Sequence, residues 1–120
     1  MRQGTISIEN NTVNFNPDSD GDIWLAQFEI AHLFGVFVSA VSANIRAIYK
    51  SGALKEYETM RVGKARDGYW LESYNMEMLV ALAFRLRTHQ TEVFRRWLTH
   101  RPQPRMLVVK VAENGHGAVN

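Results

Sequence analysis

The sequence contains no cysteine. This absence excludes a disulfide framework, a cysteine-ligated metal site and thiol chemistry, and it fits a reducing compartment. The sequence also lacks any apolar run close to the ~20 residues that a membrane span needs, and its start shows no basic-then-apolar signal pattern. We therefore expect a cytoplasmic protein with no membrane partner.

Short motifs of common enzymes and metal sites are absent as well. The sequence has no G-x-S-x-G, P-loop or dinucleotide fingerprint. Its histidines do not show the spacing of zinc ligands, and the series Asp18, Asp20, Asp22 lacks the closing glutamate of a calcium loop. We expect no enzymatic activity, no metal, no cofactor and no small-molecule substrate.

The 120 residues are enough for one domain with a modest core. The net charge of +2 is unevenly distributed along the chain. Residues 1–30 hold one basic residue against five acidic ones, whereas residues 31–120 hold thirteen against seven. Ten of the fourteen basic residues are arginines, whose planar guanidinium suits phosphates and base edges. This distribution is compatible with binding of a polyanion.

The first predicted element is a β-hairpin over residues 5–16 (TISIENNTVNFN). Polar and apolar residues alternate in it, and Asn10 and Asn11 tolerate the positive φ of a tight turn. The short apolar run at 23–25 predicts a third strand or an extended lead-in to a helix.

Two helices separated by a glycine are predicted next. Residues 26–34 (AQFEIAHLF) have helical apolar spacing, and Gly35 ends this helix. Residues 39–51 (SAVSANIRAIYKS) form a second amphipathic helix, with the first serine as its N-cap. Ala31 allows a close crossing, Gly35 permits the turn and Val41 anchors the second helix. This trio is typical of a helix-turn-helix.

A second hairpin follows, with strands at 59–62 and 69–73 and a basic loop at 63–68 (GKARDG). The order of hairpin, helix, turn, helix and basic hairpin is that of a helix-turn-helix with a wing. We therefore predict an α+β fold, a winged helix-turn-helix with an N-terminal β-hairpin, a basic wing hairpin and two C-terminal helices.

The two C-terminal helices are expected over 76–86, capped by Asn75, and over 91–100. The first is apolar on nearly every side, which indicates a central place in the core. We assign 1–104 to the winged helix-turn-helix domain and 105–120 to a C-terminal strand and a loose tail.

Two stretches of the chain resemble a known family. Residues 23–54 (IWLAQFEIAHLFGVFVSAVSANIRAIYKSGAL) look like the RhuM virulence-protein family in their strand, their Q-x-x-[IM]-A-x-L-F-G helix and the helix after it. Residues 74–98 (YNMEMLVALAFRLRTHQTEVFRRWL) resemble that family's Y-N-[LM]-[DE] opening and its closing helix with F-R-x-W. The plan is more distantly similar to the N-terminal BRO domain of viruses and phages. The resemblance implies a DNA-binding transcriptional regulator of prophage or mobile-element origin.

The turn departs from the pattern of these relatives. Val36, Phe37 and Val38 stand where relatives tend to have Thr-Ser followed by polar or basic residues. If exposed, this trio would form a contact surface such as a dimer interface, and burial against the wing is the alternative. A protein–protein interaction module on the same scaffold therefore remains the second hypothesis, and a homodimer is compatible with both.

The predicted DNA-contacting residues lie on the second helix and the wing. Reading of base edges needs side chains that form hydrogen bonds to them, and this helix offers few long ones. We therefore expect binding to double-stranded DNA that is dominated by phosphates and modest in specificity. The predicted nucleic-acid-binding residues are Ser39, Ser42, Asn44, Arg46 and Lys50 on the helix and Arg61, Lys64 and Arg66 on the wing.

Two further groups of residues are assigned by their spacing. A second basic cluster contacts either phosphates or acidic side chains and helix carbonyls within the fold; it consists of Arg85, Arg87, Arg95 and Arg96. Most aromatic residues lie at core periodicity, so we expect packing rather than stacking on single strands. These aromatic residues are Trp24, Trp70, Trp97, Phe28, Phe34, Phe84 and Phe94.

Overall fold

A computed structural model describes residues 4–64 and 67–100. This part of the chain is α+β, with two small antiparallel sheets and five helices. The predicted C-terminal strand and tail at 105–120 lie outside it. In chain order the elements are β1 (Thr5–Glu9), β2 (Thr12–Asn16), α1 (Gln27–Phe34), α2 (Val38–Ser51), α3 (Glu56–Thr59), β3 (Met60–Lys64), β4 (Trp70–Tyr74), α4 (Met76–Ala83) and α5 (His89–His100).

Strands β1 and β2 form the predicted N-terminal hairpin. They pair antiparallel, with Ile8 opposite Val13. Asn10 and Asn11 in the turn have φ of 52° and 62°, the left-handed conformation that asparagine tolerates better than most residues. The prediction for residues 5–16 is therefore confirmed.

Helices α1 and α2 are joined by residues 35–37, and the chain bends by 110° between them. Gly35 ends α1 as predicted, with φ of 70°. The prediction that Ser39 caps α2 is wrong. Phe37 occupies the cap position with extended backbone angles and no side-chain cap bond, so Ser39 already lies inside the helix. Burial of Val41, Ile45 and Ile48 in the core stabilises the helix in place of a side-chain cap.

Strands β3 and β4 form the second hairpin close to the predicted bounds, with Met60 opposite Tyr74. The one-turn helix α3 immediately before β3 was not predicted, since four residues are too few for a periodic pattern. Residues 23–25 were predicted to form a third strand or an extended lead-in to a helix. They form no strand and lead into α1, with one isolated bridge between Leu25 and Tyr74.

The two C-terminal helices have different bounds from those predicted. Asn75 caps α4 as expected, and its side chain accepts a hydrogen bond from the Met78 backbone N–H. However, α4 ends at Ala83 rather than at 86. Helix α5 begins before residue 91, because the Thr88 hydroxyl accepts a hydrogen bond from the Thr91 N–H at 3.1 Å and so caps its first turn.

One apolar core joins the four longer helices to β4 and the N-terminal hairpin. Phe34 and Phe94 are completely buried at its centre, with their ring centroids 5.4 Å apart in an edge-to-face arrangement. The prediction of core packing is confirmed for these two rings. Trp24 and Trp97 are half-buried.

The same prediction is wrong for Phe28, Trp70 and Phe84, which are 58%, 70% and 56% exposed. Phe28 lies in the first turn of α1, on the solvent side of the helix that buries Ile30 and Ala31. Phe84 follows the end of α4, and Trp70 lies at the distal end of the hairpin. Periodicity marks an apolar position but does not fix which positions a neighbouring element covers.

Among the described helices, none is by itself long and apolar enough to cross a membrane. The bent pair of α1 and α2 meets the length and composition limits only when the two helices are taken together.

Candidate nucleic-acid interface

Helix α2 separates an apolar face from a polar one. Val41, Ile45 and Ile48 are buried in the core. Ser39, Ala43, Arg46 and Lys50 are exposed on the opposite face. This spacing of four, three and four residues forms one stripe along the helix. Helix α2 contains no acidic residue. The N-terminal half of this exposed face therefore carries the small side chains of Ser39 and Ala43. Its C-terminal half carries the positive charges of Arg46 and Lys50.

Arg46 and Ser42 form a side-chain pair on α2. The Nη1 of Arg46 donates a hydrogen bond to the Ser42 hydroxyl at 2.9 Å. A guanidinium has five N–H donors, so this bond orients Arg46 along the helix and leaves donors for an external acceptor. Ser42 is half-buried, and it supports Arg46 more directly than it offers a contact of its own.

Asn44 takes part in contacts within the fold. Its Nδ2 donates to the Ala40 carbonyl at 2.8 Å, and its Oδ1 accepts from the Nε of Arg85 at 2.8 Å. The amide therefore has both of its ends bonded, and it joins α2 to the segment after α4. A DNA contact by Asn44 stays a prediction, but such a contact would compete with these bonds.

The predicted second basic cluster is largely bonded within the described residues. Arg95 donates to the carbonyls of Ala83 and Leu86 at the end of α4, which compensates carbonyls that have no helical partner. Arg96 forms an exposed ion pair with Glu92 at 3.1 Å. The sequence left two alternatives for this cluster, contact with phosphates or bonding within the fold. Arg95 and Arg96 are bonded within the fold.

Two cations of the β3–β4 hairpin lie against aromatic rings. The guanidinium carbon of Arg61 is 4.2 Å from the centroid of the Trp24 ring. The Nζ of Lys64 is 5.9 Å from the centroid of the Trp70 ring. Because side chains alternate along a strand, Arg61 and Lys64 project from opposite faces of the hairpin. Both remain exposed, and Arg66 lies outside the described residues.

A partly buried hydrogen bond connects α2 to the base of the same hairpin. The hydroxyls of Tyr49 and Thr59 are 2.8 Å apart, and Thr59 also donates to the Lys55 carbonyl at 2.8 Å. Tyr49 is therefore the donor to Thr59. Thr59 is completely buried and immediately precedes β3. This bond links the last turn of α2 to the start of the hairpin. Lys50 follows Tyr49 in the chain, Arg61 lies two residues after Thr59, and both are exposed.

The apolar turn is only partly exposed. Phe37 is 83% exposed and Val38 is 45% exposed, whereas Val36 packs against the core. The contact surface foreseen from the sequence is therefore reduced to Phe37 and Val38.

Exposed aromatic residues outside the turn were not foreseen from the sequence as a surface. Tyr57 on α3 and Tyr69 and Trp70 on the β3–β4 hairpin are all largely exposed. The signal in the sequence was the position of Tyr69 and Trp70 directly after the basic loop at 63–68, because residues next to a hairpin loop are often left uncovered.

No protein-family model matches the sequence, and neither a curated protein nor a solved structure is significantly similar to it. The resemblance to the RhuM family and to the BRO N-terminal domain therefore stays a prediction from the motifs.

Proposed function

We propose that this chain is a winged helix-turn-helix domain that binds double-stranded DNA, with α2 as the recognition helix and the β3–β4 hairpin as the wing. The observation that carries the proposal is the exposed face of α2, which is free of acidic residues and bears Arg46 and Lys50. The 110° bend after α1 lies within the range of helix-turn-helix motifs.

The chemistry of α2 favours phosphate contacts over base reading. Ser39 and Ala43 are small, which allows the backbone of the helix to approach a groove closely. Arg46 offers a fork of donors to a phosphate or a guanine edge, and Lys50 offers a point charge. With two long cationic side chains on this face, we expect modest sequence specificity.

The wing adds cations from a second element. Arg61 keeps an exposed guanidinium edge while its face rests on Trp24, so less side-chain entropy is lost when it binds a phosphate. Lys64 lies farther along the same strand on its other face, so the two cations would contact phosphates from different sides of the wing. The bond between Tyr49 and Thr59 supports a fixed relation of wing to helix, which a rigid clamp on duplex DNA requires.

The biological setting follows from the motif resemblance. A cytoplasmic transcriptional regulator from a prophage or mobile element, associated with virulence, is the function that the RhuM-like motifs imply. A homodimer would double the small number of contacts that one α2 offers.

Fluorescence anisotropy with a labelled random duplex, titrated at low and at high salt, tests the proposal. We expect binding at micromolar protein in low salt and a steep loss of affinity as salt rises, because bound cations release counterions from the DNA. The absence of binding at low salt would refute the proposal.

A second candidate function is a protein–protein interaction module on the same scaffold. The observation in its favour is the exposure of Phe37 and Val38 in the turn. Light scattering with Phe37→Asp distinguishes the two functions. Loss of a dimer in this variant, together with no DNA binding by the parent protein, would support the second.

A further inference from the structure

The β3–β4 hairpin exposes aromatic side chains that the proposed duplex contact does not use. Trp70 is 70% exposed, and its neighbour Tyr69 is also largely exposed. Val62, on the facing strand, is exposed as well. Burial of a tryptophan ring is strongly favourable, so a ring left in solvent together with further apolar side chains indicates a contact surface.

The register of the hairpin places a cation beside the exposed ring. Lys64 lies directly opposite Trp70, and its ammonium is 5.9 Å from the ring centroid. The next pair on the same face is Val62 and Glu72. The Glu72 carboxylate accepts a hydrogen bond from the Tyr74 hydroxyl at 3.1 Å, so it is held toward the base of the hairpin. The distal end of this face therefore combines a flat apolar ring with a positive charge.

A flat ring beside a cation is suited to a nucleobase and its phosphate. Inside a duplex both faces of a base are covered by its neighbours, whereas an unpaired base has an open face. We propose that Trp70 and Lys64 form a stacking site for an unpaired base of single-stranded DNA. This site lies on a different element from α2 and does not depend on the duplex contact proposed for that helix.

The first test measures the binding of a labelled short oligothymidylate, whose bases do not pair with one another. Trp70→Ala should weaken binding roughly 5- to 150-fold, the range expected for loss of one stacked base. Trp70→Phe keeps a ring and should retain most of the affinity. Tyr57→Ala removes an exposed ring on α3 and is the matched control, which should bind like the parent protein.

The second test uses intrinsic tryptophan fluorescence. Trp24 is covered by Arg61, and Trp97 packs against Phe15 and Phe94. Stacking on Trp70 should therefore account for most of the quenching by oligothymidylate. Trp70→Phe should still bind the oligonucleotide but should lack most of this quenching. If Trp70 had only a structural role, the quenching would not depend on it.

Three outcomes would overturn the inference. Trp70→Ala could bind oligothymidylate as tightly as the parent protein, or Tyr57→Ala could lose as much affinity. Trp70→Ala could also dissociate a dimer, seen by light scattering, without changing oligothymidylate affinity, which would make the patch a protein contact.

The same experiments separate this inference from the duplex proposal. Arg46→Gln should weaken binding to a blunt duplex and leave oligothymidylate binding nearly unchanged. Trp70→Ala should weaken oligothymidylate binding and leave duplex binding nearly unchanged. Binding of oligothymidylate that depends on Trp70, without any duplex binding, would support the stacking site and refute the duplex proposal.

Discussion

Arg85, just beyond α4, donates from its Nε to the Oδ1 of Asn44 on α2 at 2.8 Å. The two residues are far apart in sequence, yet this bond fixes the position of α2 beside the end of α4. Asn44, which the sequence suggested for DNA contact, therefore has a structural role.

Replacing Asn44 should therefore affect stability. Asn44→Ala loses the bonds to Arg85 and to the Ala40 carbonyl, while alanine regains some helix propensity, so we expect a net loss of about 0.5–1 kcal/mol. Urea unfolding gives this value. A double-mutant cycle with Arg85→Ala isolates the pair, and strictly additive effects of the two substitutions would show that the bond contributes nothing.

Removing the exposed cations of α2 should weaken duplex binding. Arg46→Gln and Lys50→Gln should each lower affinity for any duplex sequence several-fold, and each should reduce the slope of log affinity against log salt by about one. The control is Arg96→Gln, which removes the same charge from α5, where Arg96 pairs with Glu92. If the control weakens binding equally, the effect comes from net charge and not from α2.

The turn between α1 and α2 should depend on Gly35. Its φ of 70° is unfavourable for other residues, and an added Cβ would lie 2.8 Å from the Gln90 side chain. Gly35→Ala should cost about 1–2 kcal/mol in the free energy of unfolding. Gly52→Ala is the matched control, because its φ is 83° and the space around it is open. Equal losses in the two variants would mean that the approach of Gln90 has no energetic effect.

Stability should fall at alkaline pH because of Tyr74. This residue is 3% exposed, and burial raises the pKa of its phenol to about 12, with the hydrogen bond from Gln27 opposing the rise and the Glu72 charge adding to it. The contribution to stability is complete below the unfolded pKa of about 10. Above it, the unfolded phenol ionises first, so stability declines as pH rises toward the folded value, by up to about 1.4 kcal/mol per pH unit.

Urea unfolding at a series of pH values measures this decline. Tyr74→Phe carries no ionisable group at this position, so its stability should fall less steeply with pH than that of the parent protein. Identical slopes for the two proteins would contradict the assignment of the decline to Tyr74.

Local chemistry in the sequence predicted several features of the fold correctly. Gly35 marked the end of α1, Asn75 marked the start of α4, and Asn10 with Asn11 marked a tight turn. In each case the residue acts on its own backbone or on the next few residues, so a single sequence contains the relevant information.

Features that depend on contacts between distant segments were not predictable. The exposure of Phe28, Trp70 and Phe84 depends on which neighbouring elements reach them. The bond between Asn44 and Arg85 likewise joins residues that no local pattern relates. For the candidate site, the cationic stripe on α2 could be foreseen from helical spacing, but the pairing of Arg61 with Trp24 could not.

The hydroxyl of Thr88 donates to the Phe34 carbonyl at 2.7 Å, and the same oxygen caps α5. The Thr88 hydroxyl thus forms hydrogen bonds with the C-terminal end of α1 and with the N-terminal end of α5. A minimal fragment that stops short of α5, as one might design to isolate the two crossing helices, would remove the partner of that carbonyl and the aromatic ring that packs on Phe34. Any shortened form of this domain must therefore keep α5, because that helix provides the hydrogen-bond partner for the end of α1 and the ring that packs on Phe34.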